Sequence, residues 1–197
     1  MKPRRDEMAN NVNSYIELKE SNEAAAKFFE EFSKKMAEDQ WDAYSMLFGV
    51  QIGEEEKTRG WMIDNVGAKW LIVNDTTEDT ISTDTAWAPP IDMVDTLQQK
   101  LFELDKNVKM SITYEDEMPN FIGYKFYNGD DEDEEQVDSD EYKDILEGFK
   151  ELDEFEEELG EDEDSELDAW DLYNEQMESF WDAWHDYVYR EQCAFFD

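Results

Sequence analysis

The sequence has little cysteine, histidine and basic charge, and it has no long apolar run. Its single cysteine, Cys193, cannot form an internal disulfide. No stretch approaches the roughly 18 apolar residues of a membrane span, and no apolar segment near the start is typical of an export signal. Residues 1–7 are interpreted as an upstream extension, because Met8 would serve as a natural start. These absences predict a cytoplasmic protein that is neither exported nor inserted into a membrane.

Acidic residues greatly outnumber basic ones. The 197 residues include 55 Asp and Glu against 17 Lys and Arg, which gives a formal net charge of −38 at pH 7. Such a chain is repelled by DNA, RNA and anionic membranes, so the charge argues against direct nucleic-acid binding and favours a basic protein surface as partner. With 40 % hydrophobic and 14 % aromatic residues, the sequence can still build a core, unlike a disordered acidic chain.

The residues that usually carry catalysis are scarce. His185 is the only histidine, and its setting between Trp184 and Asp186 favours a helix-surface position over a catalytic base. Cys193 has at most that one histidine to activate it. Close carboxylate pairs are unavoidable among 55 acids, so their presence is no evidence for general acid–base catalysis. Since P-loop, Rossmann and zinc-ligand patterns are also missing, we expect no enzyme and predict no catalytic residues.

Acidic clusters suit hard cations, so a metal site is an alternative to consider. An EF-hand loop requires acids at fixed positions before a glycine, and neither Gly129 nor Gly160 has all of them. We predict no dedicated metal site and no cofactor, apart from loose screening by Mg²⁺ or Ca²⁺.

The first 127 residues alternate between strand and helix patterns. A period-two pattern over residues 12–19 predicts a strand, and helical spacing follows from Ser21, which we interpret as the N-cap. Glycines interrupt residues 40–66, which predicts an irregular insertion with some helix. The remaining patterns are a hairpin over 69–87, a helix from Pro90, and strands over 108–114 and 121–127.

This order predicts an α+β domain over residues 1–127, in which 40–66 is the insertion. Two β-α-β halves that share one sheet give a ferredoxin-like antiparallel sheet with two helices on one face, here with an extra strand.

Three segments resemble a known family. They are Asn65–Trp70, with its G-x-K-W pattern, Asp84–Pro90, with D-T-A-W-x-P-P, and Thr113–Phe121. They are similar to the YubB-like ferredoxin-like domain of phage and plasmid proteins over roughly residues 8–127. The resemblance implies a fold and a mobile-element origin, and so a protein of the host cell cytoplasm, rather than a chemistry.

The charge is concentrated in the part outside that resemblance. Residues 128–197 hold 30 acidic and three basic residues, a net charge of −27. Residues 128–138, with six adjacent carboxylates, predict a solvated acidic linker, because like charges repel and bury nothing. Ser139 is expected to cap a helix that ends near Leu159 and stops at Gly160.

A second capping pattern, Ser165 with Asp168, predicts another helix. Its expected apolar face comprises Trp170, Tyr173, Met177, Phe180, Trp181, Trp184 and Tyr187 or Val188. The two helices together predict an acidic helical hairpin over residues 139–197. Whether the tryptophan-rich face belongs to the core or binds a partner stays open at this point.

The first of these helices has an unusual charge density. Its 22 residues from Asp138 to Leu159 carry 11 acids and two lysines, so a continuous helix would present one net negative charge per roughly 3.7 Å. A DNA strand carries one per about 3.4 Å. Lysines at i,i+4, which would normally stabilise such a helix, are mostly absent.

These features predict an extension that resembles DNA-mimic inhibitors. The predicted partner-binding residues are Asp140, Asp144, Glu147, Glu151, Asp153, Glu154, Glu157, Glu158, Glu161, Asp162, Glu163 and Asp164. The expected partner is the basic nucleic-acid-binding surface of a host protein, such as a defence nuclease, which the phage-encoded chain would inhibit by competition. A second copy of the chain, giving a homodimer, is a further candidate partner.

Two alternatives come from other classes of function. The chain is either an interaction module that binds host transcription or replication machinery through its aromatic face, or a structural protein with a solubilising acidic tail. The first would remain bound at high salt, unlike a charge mimic.

Overall fold

The computed structural model describes residues 10–117, 120–159 and 169–197 and shows an α+β protein. Within these residues six strands form one antiparallel sheet, accompanied by seven helices. The strands are β1 (Asn11–Glu20), β2 (Leu71–Thr76), β3 (Thr80–Ala86), β4 (Lys109–Asp116), β5 (Phe121–Asn128) and β6 (Asp131–Asp138). The helices are α1 (Glu23–Glu38), α2 (Gln40–Phe48), α3 (Arg59–Val66), α4 (Ile91–Leu104), α5 (Tyr142–Ile145), α6 (Leu152–Leu159) and α7 (Ala169–Phe196). The chain divides into two compact units, Met1–Gln136 and Val137–Asp197.

The sheet has the strand order β2-β3-β1-β4-β5-β6. β1 pairs antiparallel with both β3 and β4, and β2 pairs antiparallel with β3. Two β-α-β connections therefore interleave, since β3 lies between β1 and β2 while β1 lies between β3 and β4. The predicted strands and the β2–β3 hairpin of the first unit are confirmed.

One face of the sheet packs with helices α1 to α4 in a single core. Ile16 of β1, Phe29 of α1 and Leu97 of α4 are fully buried members of it. Each such side chain contributes about 1.5–3 kcal/mol on burial. The side chains alternate along β1, so Val12 and Ile16 face this core while Tyr15 faces away.

Helix α1 begins one residue later than the sequence pattern predicts. Asn22, and not Ser21, is the N-cap, and its Oδ1 accepts hydrogen bonds of 3.0 Å from the backbone N–H groups of Ala24 and Ala25. The side chain of Asn22 also donates to the carbonyl of Leu104 at 2.9 Å. This second bond, which requires an N–H donor on the capping side chain, joins the start of α1 to the end of α4.

The insertion over residues 40–66 is more regular than expected, because most of it is helical. The Asp39 and Thr58 side chains cap α2 and α3 by accepting from backbone N–H groups. Gly49 and Gly67 lie just after these two helices with φ values of +66° and +88°. Of the glycines within residues 40–66, Gly49 therefore ends a helix, Gly53 lies between α2 and α3, and Gly60 lies within α3.

The predicted linker over residues 128–138 is wrong, because Asp131–Asp138 forms strand β6. The solvated-linker interpretation counted only the repulsion between adjacent carboxylates. It did not include the side chains of Lys125 and Tyr124 on β5, which contact these carboxylates.

The continuous helix predicted from Ser139 to Leu159 is also wrong. A 3-10 turn at Ser139–Glu141 leads into the short helix α5, and α6 follows six residues after α5 ends. Leu146 is extended and Gly148 has φ +84°. A glycine inside a helix costs about 1 kcal/mol relative to alanine, and repulsion between neighbouring acids adds to that cost.

Helix α7 is a single helix of 28 residues, and the predicted capping residues Ser165 and Asp168 lie outside the described part of the chain. The buried residues on its apolar face are Ala169, Tyr173, Met177, Phe180, Trp184 and Val188. Trp170 was expected on this face, but it is 54 % exposed.

Candidate acidic interaction surface

Strand β6 begins at a tight turn that the sequence encodes. Gly129 and Asp130 alone separate β5 from β6, and Gly129 has φ +67°. Gly-Asp between two strands is typical of a two-residue hairpin turn, because the first position requires a positive φ. A Cβ at Gly129 would lie 2.7 Å from the carbonyl oxygen of Lys106. The turn is therefore a signal for β6 that the charge-based interpretation missed.

A buried lysine fixes one side of the acidic strand. The Nζ of Lys125, whose side chain is 7 % exposed, lies 3.2 Å from a carboxylate oxygen of Glu132 and 3.2 Å from one of Glu134. It also lies 3.0 Å from Asp95 on α4, which accepts a 2.6 Å hydrogen bond from the hydroxyl of Tyr127. One cation thus organises three carboxylates.

Burial alone would lower the pKa of Lys125. The hydrogen bonds and negative charges of Asp95, Glu132 and Glu134 outweigh that effect and raise the pKa above its ordinary range. The lysine is therefore charged at all physiological pH values. The side chains of Glu132 and Glu134 remain 59 % and 64 % exposed, so both carboxylates are positioned and still face solvent.

A tyrosine positions the carboxylates on the other side of the strand. The hydroxyl of Tyr124 lies 3.2 Å from Asp133 and 3.3 Å from Glu135. The ring of Tyr124 is buried and stacks on Phe126 with centroids 4.2 Å apart. Successive acids of β6 are thus held on alternate sides by two neighbouring residues of β5.

The spacing of the charges follows from the strand geometry. Asp130 to Glu135 are six consecutive acids, and an extended antiparallel strand rises about 3.4 Å per residue. A DNA strand carries one phosphate charge per about 3.4 Å of its axis. The acidic ladder, as we call Asp130–Glu135, therefore matches the axial charge spacing of a nucleic-acid strand when its two faces are counted together and before the charge of Lys125 is counted. On each face the carboxylates are about 7 Å apart.

The predicted partner-binding residues are spread over several elements of the second unit and do not form one helical face. Asp140 lies in the 3-10 turn, Asp144 in α5 and Glu147 between α5 and α6, and all three are exposed. Asp153, Glu154 and Glu157 are exposed on α6, whereas Glu151 just before it is partly buried. Glu158 lies in α6 with a side chain outside the description, and Glu161, Asp162, Glu163 and Asp164 lie outside the described residues.

The ionisation of Glu151, a predicted site residue, is clearly perturbed. Burial raises the pKa of its carboxyl, and the charges of Asp153, Glu154 and Asp140 raise it further. The ionised carboxylate is therefore disfavoured in the folded state, because it is partly buried and is repelled by the neighbouring acids.

Aromatic contacts with α7 hold the acidic segment in place. Tyr142 stacks on Phe180 with centroids 4.2 Å apart, and Phe149 makes an edge contact with Phe180 at 5.5 Å. The side-chain amide of Gln176 accepts from the backbone N–H of Lys150 and donates to its carbonyl, both at 2.8 Å. These contacts position the irregular connection between α5 and α6.

The described residues are rich in carboxylates, which are possible metal ligands. Among them no group of three or more His, Cys, Asp or Glu side chains is placed to hold a metal ion. His185 and Cys193 are both exposed on α7. In the same described part of the chain, no helix is long and apolar enough to cross a membrane.

Comparison with known proteins gives no match: no family model, no curated protein and no solved structure is similar to the chain.

Proposed function

We propose that the protein is a non-enzymatic charge mimic of nucleic acid. It occupies the basic nucleic-acid-binding surface of a host protein, such as a defence nuclease or another DNA-handling enzyme, and inhibits that protein by competition. The net charge of −38 supports an anionic role, because it repels nucleic acid and attracts basic surfaces.

The observation that carries this proposal is the acidic ladder. Its carboxylates are set at about the charge spacing of a DNA strand and are held by Lys125 on one side and Tyr124 on the other. Fixed charges need no ordering when a partner binds, so less entropy is lost than with a flexible acidic tail. The ladder therefore replaces the predicted helix as the centre of the surface.

The exposed acids of the second unit are a separate part of our proposal. Asp140, Asp144 and Glu147 lie in a short segment in which Lys143 is the one basic residue. None of these three acids is within ion-pair distance of a described lysine or arginine. Their charge is thus available to basic groups of a partner.

We also propose a ferredoxin-like core for the first unit and a helical hairpin for the second. The strand order β2-β3-β1-β4 with antiparallel pairing supports a ferredoxin-like core, to which β5 and β6 are added. The resemblance to the YubB-like domain adds an origin in a phage or plasmid, and so a site of action in the host cytoplasm. Residues 142–150 contact α7 in reverse order, from Phe180 to Gln176, which supports an antiparallel course of this segment along α7, as in the predicted helical hairpin.

The decisive experiment is an affinity pull-down from host lysate at two salt concentrations, with mass spectrometric identification. Competing duplex DNA is included as a separate wash. A charge mimic is expected to lose its target as salt rises and to be displaced by the DNA, because both compete for the same Lys and Arg groups. A target that stays bound equally at both salt concentrations would contradict the proposal.

Matched variants separate the ladder from the total charge. The ladder variant carries Asp130→Asn, Asp131→Asn, Asp133→Asn and Glu135→Gln, which preserves the lysine-bound glutamates. The control carries Glu23→Gln, Glu30→Gln, Glu31→Gln and Glu38→Gln, all exposed on α1. We expect the ladder variant to bind the target at least about tenfold more weakly and the control to bind nearly as the unmodified chain. Equal losses in both would show that only the net charge matters.

A second candidate function rests on the aromatic residues of α7. Trp170 and Tyr189 are 54 % and 66 % exposed, and exposed aromatic residues are frequent anchors of protein interfaces. In this case the chain is an interaction module for transcription or replication machinery. Its target would survive the high-salt wash and be lost on Trp170→Ala. If the acidic part is only a solubilising tail, the ladder variant keeps full activity. A chain ending at Asn128 is a poorer test, because it also removes Glu132 and Glu134, the partners of Lys125.

A further inference from the structure

The face of the sheet that points away from the α1–α4 core carries a group of exposed side chains on β1, β2 and β3. Tyr15 of β1 is 45 % exposed and Ile72 of β2 is 56 % exposed. Asp84 of β3 lies between these strands, because it is directly paired with Ile72 on one side and with Asn13 on the other. Ser82, two residues before Asp84 on the same strand, is paired with Tyr15.

These pairings place an aromatic, an aliphatic and a carboxylate side chain within reach of one small ligand. Directly paired residues have Cβ atoms about 4.5–5.5 Å apart, and diagonal neighbours lie at about 7–8 Å. Tyr15 is the diagonal neighbour of Asp84 and Ile72 its direct neighbour. The three therefore form a platform, the Asp84 platform, that is distinct from the acidic ladder on β6.

The carboxylate of Asp84 lacks the partners that a buried acceptor normally has. Its Oδ1 is buried and accepts no hydrogen bond in the described part of the chain, although the side chain as a whole is partly exposed. Nor does it form an ion pair with a described lysine or arginine. A buried carboxylate oxygen without a donor is costly, and a cation bound at the accessible side of the carboxylate would offset that cost.

We propose that the Asp84 platform binds a single arginine side chain of a protein partner. The guanidinium group donates to the accessible side of the Asp84 carboxylate, while its plane and methylenes lie against Tyr15 and Ile72. Arginine fits better than lysine because its planar, weakly hydrated head stacks on aromatic and apolar surfaces as it forms hydrogen bonds. The charge of the whole chain favours a cation over an anion.

This inference goes beyond the charge mimicry of β6, since it concerns strands β1 to β3, away from the edge that β6 forms, and needs no particular target protein. The test uses the full chain labelled for NMR and titrated at constant ionic strength with N-acetyl-arginine methylamide. Parallel titrations use N-acetyl-lysine methylamide and guanosine monophosphate. We expect saturable shifts at Tyr15, Ile72 and Asp84 and affinity for the arginine ligand roughly threefold higher than for lysine.

Variants decide whether the carboxylate and the platform act together. Asp84→Asn is expected to abolish the preference for arginine, and Ile72→Ser to weaken binding about twofold without changing the fold. The control is Asp64→Asn, an exposed acid of α3, which is expected to leave the titration unchanged. Equal affinity for both cations, an unchanged Asp84→Asn titration, or tighter binding of the nucleotide would each overturn the proposal.

Discussion

The ammonium group of Lys125 lies 3.0 Å from a carboxylate oxygen of Asp95, and this contact joins β5 to α4 beneath the acidic strand. Lys125→Met would leave three carboxylates without their common cation. Because Glu132 and Glu134 are more than half exposed and can be rehydrated, we expect the free energy of unfolding to fall by about 1–3 kcal/mol. Urea unfolding measures this loss. Lys100→Met removes a surface pair with Glu103 and is expected to change stability by less than about 0.5 kcal/mol.

Alkaline pH is expected to destabilise the protein through Tyr127. Burial, followed by the hydrogen bond to Asp95 and its charge, raises the pKa of this hydroxyl well above its ordinary range. The folded state thus retains a proton that the unfolded state releases near pH 10, so stability is fully present below that pH and falls as the pH rises further. Chemical denaturation from pH 8 to 11 measures the slope. Tyr127→Phe should reduce the slope without abolishing it, because burial also raises the pKa of Tyr44, and an unchanged slope would contradict this assignment.

Neutralising Glu151 is expected to stabilise the second unit. Its raised pKa means that the ionised form is disfavoured in the folded state, so the unfavourable contribution is present at neutral pH and disappears as the pH falls below the unfolded value. Glu151→Gln should therefore increase stability at pH 7 by a few tenths of a kcal/mol and have no effect near pH 3. Thermal melts at both pH values check this, with Glu157→Gln, on the exposed side of α6, as the comparison.

The stability of the second unit is expected to depend on Phe180 more than on its neighbour Trp181. Phe180 is fully buried and contacts both Tyr142 and Phe149, whereas Trp181 is only partly buried. Phe180→Ala should cost about 3–5 kcal/mol, and Trp181→Ala clearly less. Near-ultraviolet circular dichroism during denaturation follows the loss of aromatic packing. A larger effect at Trp181 would mean that the buried face of α7 is assigned incorrectly.

The backbone conformation of Trp87 predicts that replacement by glycine is less destabilising than replacement by alanine. Trp87 has φ +75°, a conformation that L-residues adopt at a cost, and its exposed ring is contacted by Lys69 Nζ at 4.4 Å from the centroid. Both Trp87→Ala and Trp87→Gly remove the ring contact, but only glycine also relieves the backbone. Trp87→Gly should therefore be about 1 kcal/mol more stable than Trp87→Ala, as measured by urea unfolding.

Most of the first unit was predictable from local patterns. The alternation of Val12, Ser14, Ile16 and Leu18 predicted β1, and the turn residues 74–78 predicted the hairpin of β2 and β3. These signals work because a half-buried strand must alternate and a tight turn requires particular residues.

Strand β6 was not predictable in the same way, because it has almost no apolar residues to alternate. What stabilises it lies on other elements, above all Lys125 and Tyr124 of β5 and Asp95 of α4. A charge-based interpretation sees the repulsion within one segment but not the cation across the sheet. The Gly129-Asp130 turn was the one local signal available.

The acidic ladder was not predicted as part of the site, because none of Asp130–Glu135 is among the predicted partner-binding residues, and those residues stay a prediction. The exposed acids of the second unit were identified, yet the break at Gly148 removes the continuous helix that was to align them. The apolar spacing of residues 142–155 fits a helix and also fits two short helices that pack against α7, so the periodicity alone could not distinguish these two arrangements.

The two edge strands of the sheet, β2 and β6, also affect whether copies of the protein associate. An outer strand normally offers its unpaired backbone to a second molecule and so seeds fibres. Here β6 ends the sheet with a row of negative charge, and β2 ends it with a register irregularity between Val73 and Asp75. Identical copies approaching through β6 repel each other, so the acids that we propose for binding also disfavour edge-to-edge pairing of two sheets.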